Sequence, residues 1–497
     1  MLDPMRRLVI VVATLLIAGC ATVESPHPPL RTSAEAQACA EWLAQLDDVV
    51  DRAGTRDAGA HRIAGHPYLR ADRFLASFRH EAKQPGPAFN TWVERQRRLD
   101  LAGREAELCG LAPALLQPLA TSVTAALGKL DQCGQVLARE DLATPAGRDR
   151  LKDLTVVPDD YAQWVRSSGL YALARWPFSL GVEGWHREAE AMFRKAATDA
   201  SVQRIRRVDP AGAAVSPTEV RDVFGQVRRD ALGVPLLSPQ DESLLFRAYA
   251  PRYEIEATGS FDRFGALKWP DAAPPQVDSS RPVVYRRLAH TRFQGRVLVQ
   301  LVYTMWFPER PRSHPLDLLG GALDGLVMRV TLGEDGAPLV WDTIHPCGCY
   351  HMFFPTTALK AVPAPDPDEE WAFIPARLPA MGPADRVTVR TATATHYLVS
   401  VSSAPAGAIA SETYTLADED ELRRLPLPGG GFRSIYGPDA LVRGSERAER
   451  LFFWPMGIAS PGTMRQWGRH PTAFLGRRHF DDPDIVEKRF VSAASER

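Results

Sequence analysis

One short segment of the chain stands out for its chemistry: residues 345–351, with the sequence HPCGCYH. Its thiols and imidazoles alternate with other residues, so an extended chain would point all of them to one face. Thiolate and imidazole are the ligands that zinc and copper(I) prefer. Residues two apart on a straight strand are, however, about 6.6 Å apart, too widely spaced for one tetrahedral ion unless the chain bends. Pro346 and Gly348 predict such a bend. The candidate ligands are His345, Cys347, Cys349 and His351.

Three interpretations of this segment remain open: a metal site, a redox-active cysteine pair, or a structural loop. A disulfide between Cys347 and Cys349 needs a tight turn, because the Cα separation in an extended chain is near the upper limit of roughly 6.8 Å. Gly348 supplies the necessary backbone freedom. Protonated imidazoles nearby would lower the thiol pKa values and make the pair reactive. If the protein is an enzyme, Cys347 and Cys349 are its candidate catalytic residues.

A second polar cluster lies near the C-terminus, between residues 465 and 482. Arginine and histidine side chains beside carboxylates can bind a phosphate or carboxylate ligand. The simpler interpretation is a surface network of ion pairs, which contributes little. The candidates for ligand binding are Arg465, His470, Arg478 and His479.

Standard catalytic signatures are missing from the sequence. It contains no Gly-x-Ser-x-Gly elbow, no His-Glu-x-x-His, no phosphate-binding loop and no Ser-x-x-Lys. Catalytic triads are defined in space rather than in sequence, so an enzyme is not excluded. Two function classes remain: a ligand- or partner-binding protein, and a metal- or thiol-dependent enzyme that uses residues 345–351.

The N-terminus has the pattern of an export signal. Arg6 and Arg7 precede an almost unbroken apolar run over residues 8–17, and small residues lead to Cys20. The run is about half the roughly 20 residues that a membrane-spanning helix needs. Residues 17–20 (IAGC) resemble the lipobox of bacterial lipoproteins, with Ile17 where leucine is usual.

The resemblance implies that the chain is cut before Cys20, which is then acylated and anchors the protein to a membrane. Ala21 stands where inner-membrane retention typically uses aspartate, which implies the outer membrane, facing the periplasm. The formal net charge of −1 gives no reason to expect a nucleic-acid partner.

An oxidising compartment predicts that paired cysteines are bridged. Cys39 and Cys133 each lie on the apolar stripe of a predicted helix, and packing of those stripes would bring them together. We therefore predict a Cys39–Cys133 disulfide, with Cys109 as the odd thiol.

The periodicity of apolar residues changes along the chain. Helical spacing dominates the first 200 or so residues, beginning with a capping box at residues 32–35. From about residue 251 the chain has β-branched and aromatic stretches divided by Gly and Pro, and residues 333–336 (GEDG) predict a hairpin turn. The predicted class is α+β, with a mainly antiparallel sheet. The predicted divisions are a signal peptide (1–19), a tether (20–31), a helical domain (32–207), a linker with short helices (208–250) and a β-rich domain (251–497).

One aromatic pattern repeats within the chain. Residues 303–308 (YTMWFP) match residues 350–355 (YHMFFP), and residues 452–456 (FFWPM) form a looser third copy. Proline ends many strands, so each copy could be a strand that ends in aromatic residues. Aligned ends would form an aromatic rim beside a pocket; plain core packing is the alternative.

Overall fold

The computed structural model describes residues 29, 31–82, 85–198, 205–271, 274–383, 385–405 and 412–493. Helices dominate the N-terminal half and a ten-stranded sheet dominates the rest, which confirms the α+β class. Cys20 and the proposed signal lie outside the described residues. Within the described residues, no helix is long and apolar enough to cross a membrane.

The helices are short except for four that exceed 18 residues. Ser33, one residue after the start of the predicted capping box, caps the first of them by accepting from the N–H of Ala36. The helices are α1 (Ala34–Ala53), α2 (Arg73–Ala76), α3 (Pro87–Cys109), α4 (Pro113–Leu116), α5 (Val123–Asp141), α6 (Pro145–Leu154), α7 (Gln163–Ser167), α8 (Leu170–Thr198), α9 (Pro217–Gln226), α10 (Pro239–Tyr249), α11 (Arg450–Phe453) and α12 (Ile485–Arg489).

The described strands are β1 (His61–Ile63), β2 (His66–Ala71), β3 (Ile205–Pro210), β4 (Arg228–Arg229), β5 (Pro235–Leu236), β6 (Arg252–Glu256), β7 (Ala266–Lys268), β8 (Gln276–Asp278), β9 (Val283–Phe293), β10 (Arg296–Arg310), β11 (Gly321–Leu332), β12 (Pro338–Ile344), β13 (Met352–Pro355), β14 (Leu359–Ala361), β15 (Asp385–Thr391), β16 (Leu398–Pro405), β17 (Glu412–Asp418), β18 (Leu425–Pro426), β19 (Phe432–Arg433) and β20 (Phe490–Ser492). Ten of these strands form one sheet, in the order β13-β12-β11-β10-β9-β17-β3-β6-β15-β16, and the others form two-stranded pairs.

The sheet is mixed. Strands β9 to β13 form an antiparallel meander, and the turn predicted at residues 333–336 joins β11 to β12. Strand β17 then inserts between β9 and β3 and runs parallel to both, and β15 pairs parallel with β6. Six of the nine strand pairings in this sheet are antiparallel, as the sequence predicts, and the three parallel pairings were not predicted.

The N-terminal helices pack around a hairpin. Helices α1 and α5 lie side by side, and a disulfide joins Cys39 to Cys133 with the Cα atoms 5.2 Å apart, which confirms the predicted pairing. Cys109 is a free thiol. Strands β1 and β2 interrupt the predicted helical run, and the hairpin buries Arg70 against Asp100 (2.9 Å).

One face of the large sheet carries the main apolar core. Tyr303, Met305 and Phe307 of β10 alternate into it, and Met352 and Phe354 of β13 join them from the sheet edge. Helices α8, α9 and α10 cover this face. The core therefore holds α8 against the sheet, which determines where the candidate site forms.

The repeated aromatic segments are only partly as predicted. Residues 303–308 lie within β10 and residues 352–355 form β13, so both are in the same sheet, and their alternate side chains share one core. The two segments run in opposite directions, so their prolines do not mark one rim. The third copy is helical, over α11 and a following 3-10 turn at residues 454–456. The predicted rim of three strands is therefore wrong.

Candidate functional site

The segment 345–351 connects β12 to β13 through a tight turn. The N–H of Gly348 donates to the carbonyl of His345 (2.8 Å), and the N–H of His345 donates to the carbonyl of Cys349 (3.0 Å). Gly348 has φ = 96°, and a Cβ atom there would lie 2.4 Å from the carbonyl oxygen of Pro471. The chain bends here as the sequence predicts, and glycine is needed both for the backbone angle and for the close approach.

This turn forms one wall of a cavity of about 530 Å³, a volume typical of small-molecule sites. Helix α8 forms the opposite wall, and the remaining lining comes from Leu319, Tyr397 and residues 370–373, 449–462 and 471–478. Aromatic and apolar side chains predominate. The aromatic members of the lining are Phe178, Trp185, Tyr350, Trp371, Phe373, Tyr397, Phe453 and Phe474.

Three titratable groups of the cavity wall, His186, Glu370 and Glu449, have pKa values shifted toward their uncharged forms. His186 stacks on Phe373 with the ring centroids 4.0 Å apart. Burial, together with the charge of Arg478, lowers the pKa of His186 to about 4. Burial also raises the pKa of Glu370, and it raises the pKa of Glu449 to about 7. At neutral pH the cavity therefore favours a ligand that is largely apolar.

Two tyrosines stand side by side in the wall. The hydroxyls of Tyr350 and Tyr397 are 2.9 Å apart, and Arg310 donates to the Tyr397 hydroxyl (3.1 Å). Behind them, the imidazole of His345 lies edge-on to Tyr350, with the ring centroids 5.0 Å apart. These hydroxyls are the polar groups that could orient one end of a bound molecule.

A buried chain of acids and histidines supports this wall. Asp324 accepts from Nδ1 of His345 (3.2 Å) and from Nδ1 of His396 (2.8 Å), and Nε2 of His396 is 3.5 Å from Asp262. Burial disfavours a charged imidazole, yet the hydrogen bonds to Asp262 and Asp324 raise the pKa of His396. Burial likewise opposes ionisation of Asp324, but His345 and His396 lower the pKa of that carboxyl. Each carboxylate in this series of side chains thus has an imidazole partner, and each imidazole has a carboxylate partner.

The backbone around this chain adopts uncommon angles. Leu323, Tyr350, Ala394 and His396 all have positive φ, between 51° and 63°. Non-glycine residues in this region are strained, and such strain clusters at functional sites. Each of these four residues is next to, or is part of, the series of buried acids and histidines. The backbone strain is therefore concentrated beside the two wall tyrosines, Tyr350 and Tyr397.

The four predicted metal ligands do not converge. His351 uses both ring nitrogens, on Asp342 (3.0 Å) and on Thr472 (3.3 Å). His345 turns to Asp324, behind the cavity wall. Within the described ranges, no three His, Cys, Asp or Glu side chains are grouped so as to hold an ion. The residues present therefore do not fit a zinc or copper ion bound by residues 345–351.

Cys347 and Cys349 are both free thiols that line the cavity. A hydrogen bond that the Cys349 thiol donates to Cys347, followed by burial, raises the pKa of Cys349 well above its ordinary value. The expectation that the imidazoles would lower the thiol pKa values is therefore wrong for Cys349. The cause is that His345 and His351 contact carboxylates instead of sulfur.

The four candidates of the C-terminal cluster are buried and lie in three places, so they do not form a surface network. Arg478 lines the cavity and donates to Thr472 and to the carbonyls of residues 370 and 371. Arg465 donates to the carbonyl of Cys347 (3.2 Å) and supports the turn. His470 is buried next to it, and burial lowers its pKa to about 4. His479 lies apart, 3.5 Å from Asp160.

Several lining residues had no signal in the sequence. Glu449 and Glu370 are carboxylates in loops, and only the fold reveals that they are buried. Trp185 and His186 lie on α8 about 160 residues before the turn that they face. Aromatic residues on an amphipathic helix would have been the only hint, and these usually indicate ordinary packing.

Comparison with protein-family models, with curated proteins and with solved structures found no match for this chain.

Proposed function

We propose that this protein is an envelope lipoprotein, anchored through Cys20, whose folded body binds a largely apolar ligand in the cavity between α8 and residues 347–351. The observation that carries the proposal is the cavity itself, of about 530 Å³ with a mainly apolar and aromatic lining. Such cavities with a few directed polar groups are the usual form of ligand sites.

The polar groups of the wall narrow the ligand class. His186 is neutral at pH 7, with its pKa near 4, and Glu449 titrates close to neutrality, with its pKa near 7. Arg478 is the cation within reach, although its hydrogen bonds to Thr472 and to main-chain carbonyls already hold its side chain in place. We therefore expect an apolar body with one polar end, directed to Arg478 or to the tyrosine hydroxyls.

Two observations support a location in the cell envelope. The residues from Arg6 to Cys20 resemble a lipobox signal, and the Cys39–Cys133 disulfide suits an oxidising compartment. Cys20→Ser should abolish labelling by radioactive palmitate and leave the chain unprocessed or soluble. Continued palmitate incorporation would overturn the proposed anchor.

Helix α8 offers a matched pair of variants for the ligand site. Gly181 lines the cavity and Gly184 does not, while a Cβ atom at either position meets no atom within 4 Å. Both substitutions by phenylalanine also remove a helix-weakening glycine. Gly181→Phe should occupy the cavity without harming the fold, and Gly184→Phe is its control.

The readout is the binding of N-phenyl-1-naphthylamine, an apolar fluorescent probe, in the absence of membranes. The wild type and Gly184→Phe should bind the probe alike, and Gly181→Phe should bind it at least about tenfold more weakly, because the added ring fills the site. Equal binding by all three chains would overturn the ligand site.

A second candidate function is a thiol-dependent enzyme at the same wall. It is favoured by the adjacent thiols of Cys347 and Cys349 facing the cavity near Glu449, whose carboxyl has a pKa of about 7 and could accept a proton. Cys347→Ser should then abolish turnover of a thiol-reactive ester while leaving probe binding intact. If Cys347→Ser turns over the ester as fast as the wild type does, this candidate function is ruled out.

A further inference from the structure

The surface beside the cavity is unusually apolar. Among the described residues, 14 large hydrophobic side chains are exposed, and eight of them lie on three adjacent elements, α7, α8 and α11 with its following turn. We call this group the aromatic face. Its members are Trp164, Leu170, Leu173, Trp176, Leu180, Leu451, Phe452 and Trp454.

Helix α8 explains why these side chains are exposed. Phe178 and Trp185 point to the cavity, where Phe178 packs edge-on against Phe453 with the ring centroids 5.0 Å apart. Leu173, Trp176 and Leu180, spaced three and four residues apart, form another stripe that faces outward. The helix is therefore apolar on two sides, and one of them has no partner within the described chain. An apolar patch of this kind marks an interaction site.

The aromatic face is continuous with the cavity wall. Pro177, Phe178 and Gly181 line the cavity and alternate along α8 with the exposed Trp176 and Leu180. Phe453 also lines the cavity, and its neighbours in sequence, Phe452 and Trp454, are exposed. Whatever covers the face is therefore immediately next to the ligand site.

We propose that the aromatic face rests on a lipid bilayer, in the region between headgroups and acyl chains, so that the cavity takes an acyl-chain lipid. All three tryptophans among the exposed large hydrophobics belong to the face. Tryptophan is the residue type enriched at membrane interfaces, where its apolar ring and its N–H are both satisfied.

The inference rests on the proposed anchor at Cys20. The predicted tether of residues 20–31 spans at most about 40 Å when extended, so an anchored body stays within one molecular diameter of the bilayer. Tethering raises the effective concentration of the membrane at the face, and a modest apolar surface is then enough for docking.

The test uses the full-length chain in protein-free vesicles of phosphatidylethanolamine and phosphatidylglycerol, footprinted with hydroxyl radicals and read by mass spectrometry. The protein supplies two matched pairs of residues. Leu173 on the face is 76% exposed and Leu316 elsewhere is 82% exposed; Phe452 on the face is 59% exposed and Phe432 elsewhere is 47% exposed. Docking should slow oxidation of Leu173 and Phe452 at least about fivefold relative to their partners, because the bilayer excludes the radical source.

Equal oxidation within each pair would overturn the docking proposal, and a protein partner would then have to cover the face. The combined variant Leu173→Ser and Trp176→Ser should restore oxidation of Phe452, whereas Leu316→Ser should leave it protected. The same double variant should still bind the soluble naphthylamine probe, and Gly181→Phe should lose the probe while keeping Phe452 protected. Failure of docking and failure of the ligand site are thereby separate results.

Discussion

Glu449 offers the sharpest physical test of the cavity wall. Its side chain is buried, and burial raises its pKa to about 7 from an ordinary value of 4.5. The charges of Arg447 and Arg310 oppose this rise without cancelling it. Replacing Glu449 by glutamine keeps the shape and polarity of the protonated acid but removes its ionisation.

The direction of the effect follows from linkage. A group whose pKa is raised by folding contributes stability that is complete below pH 4.5 and is lost as the pH rises through 7. At about 1.4 kcal/mol for each pKa unit, the change from 4.5 to about 7 corresponds to about 3 kcal/mol. Glu449→Gln should therefore gain about 3 kcal/mol in unfolding free energy, relative to wild type, between pH 4.5 and pH 8.

The assay is urea unfolding of both chains at pH 4.5, 6, 7 and 8. Glu188→Gln is the control, because Glu188 also lines the cavity but is exposed to solvent. The control should differ from wild type by the same amount at every pH. If the Glu449→Gln difference is also constant with pH, the carboxyl is not held in an apolar wall and the reasoning fails.

Three other features give independent expectations. Replacing Cys39 and Cys133 by serine should cost about 4 kcal/mol, since the bridge closes a loop of 94 residues; non-reduced peptide mapping that finds Cys109 in the bridge would contradict the pairing. Iodoacetamide should modify Cys349 at least about tenfold more slowly than an unperturbed thiol at pH 7.5, because its raised pKa keeps it protonated; an ordinary rate would refute this. Asp324→Asn should cost about 3 kcal/mol at pH 6 and less at pH 9, because the raised pKa of His396 makes their ion pair stabilising only while the imidazole is charged; urea unfolding at both pH values checks it.

Local patterns in the sequence predicted those features of the fold that depend on residues close together in the chain. The meander from β9 to β12 follows from apolar runs broken by turn residues, and the hairpin after Leu332 follows from its glycines. The Cys39–Cys133 bridge could be predicted because each cysteine lies on an apolar helical stripe. These features need no knowledge of distant parts of the chain.

Features that join distant segments could not be predicted in this way. Strand β17 pairs with β3, which lies about 200 residues earlier, and no local pattern encodes that partner. Strand β2 contains Pro67, a residue type that argues against a strand, so the local sequence does not indicate this hairpin. Asp342 has no partner visible in the sequence, yet it lies buried between Arg329 and His351.

The candidate site shows the same limit. Residues 345–351 were identified because cysteine and histidine are chemically distinctive, and their bend was foreseen from Gly348. The chemistry of these residues could not be predicted. It depends on the contacts of His345 with Asp324 and of His351 with Asp342, because these contacts decide which groups face the cavity. The apolar lining that now suggests a ligand is made of residue types that also fill ordinary cores.

Native mass spectrometry of the full-length protein, isolated from cells that produce it, tests most directly whether the cavity holds an apolar ligand. The wild type and Gly184→Phe should carry an adduct of discrete mass that organic solvent extracts, and Gly181→Phe should lack it, since only Gly181 lines the cavity. No adduct on the wild type, or an equal adduct on Gly181→Phe, would contradict the proposed ligand site.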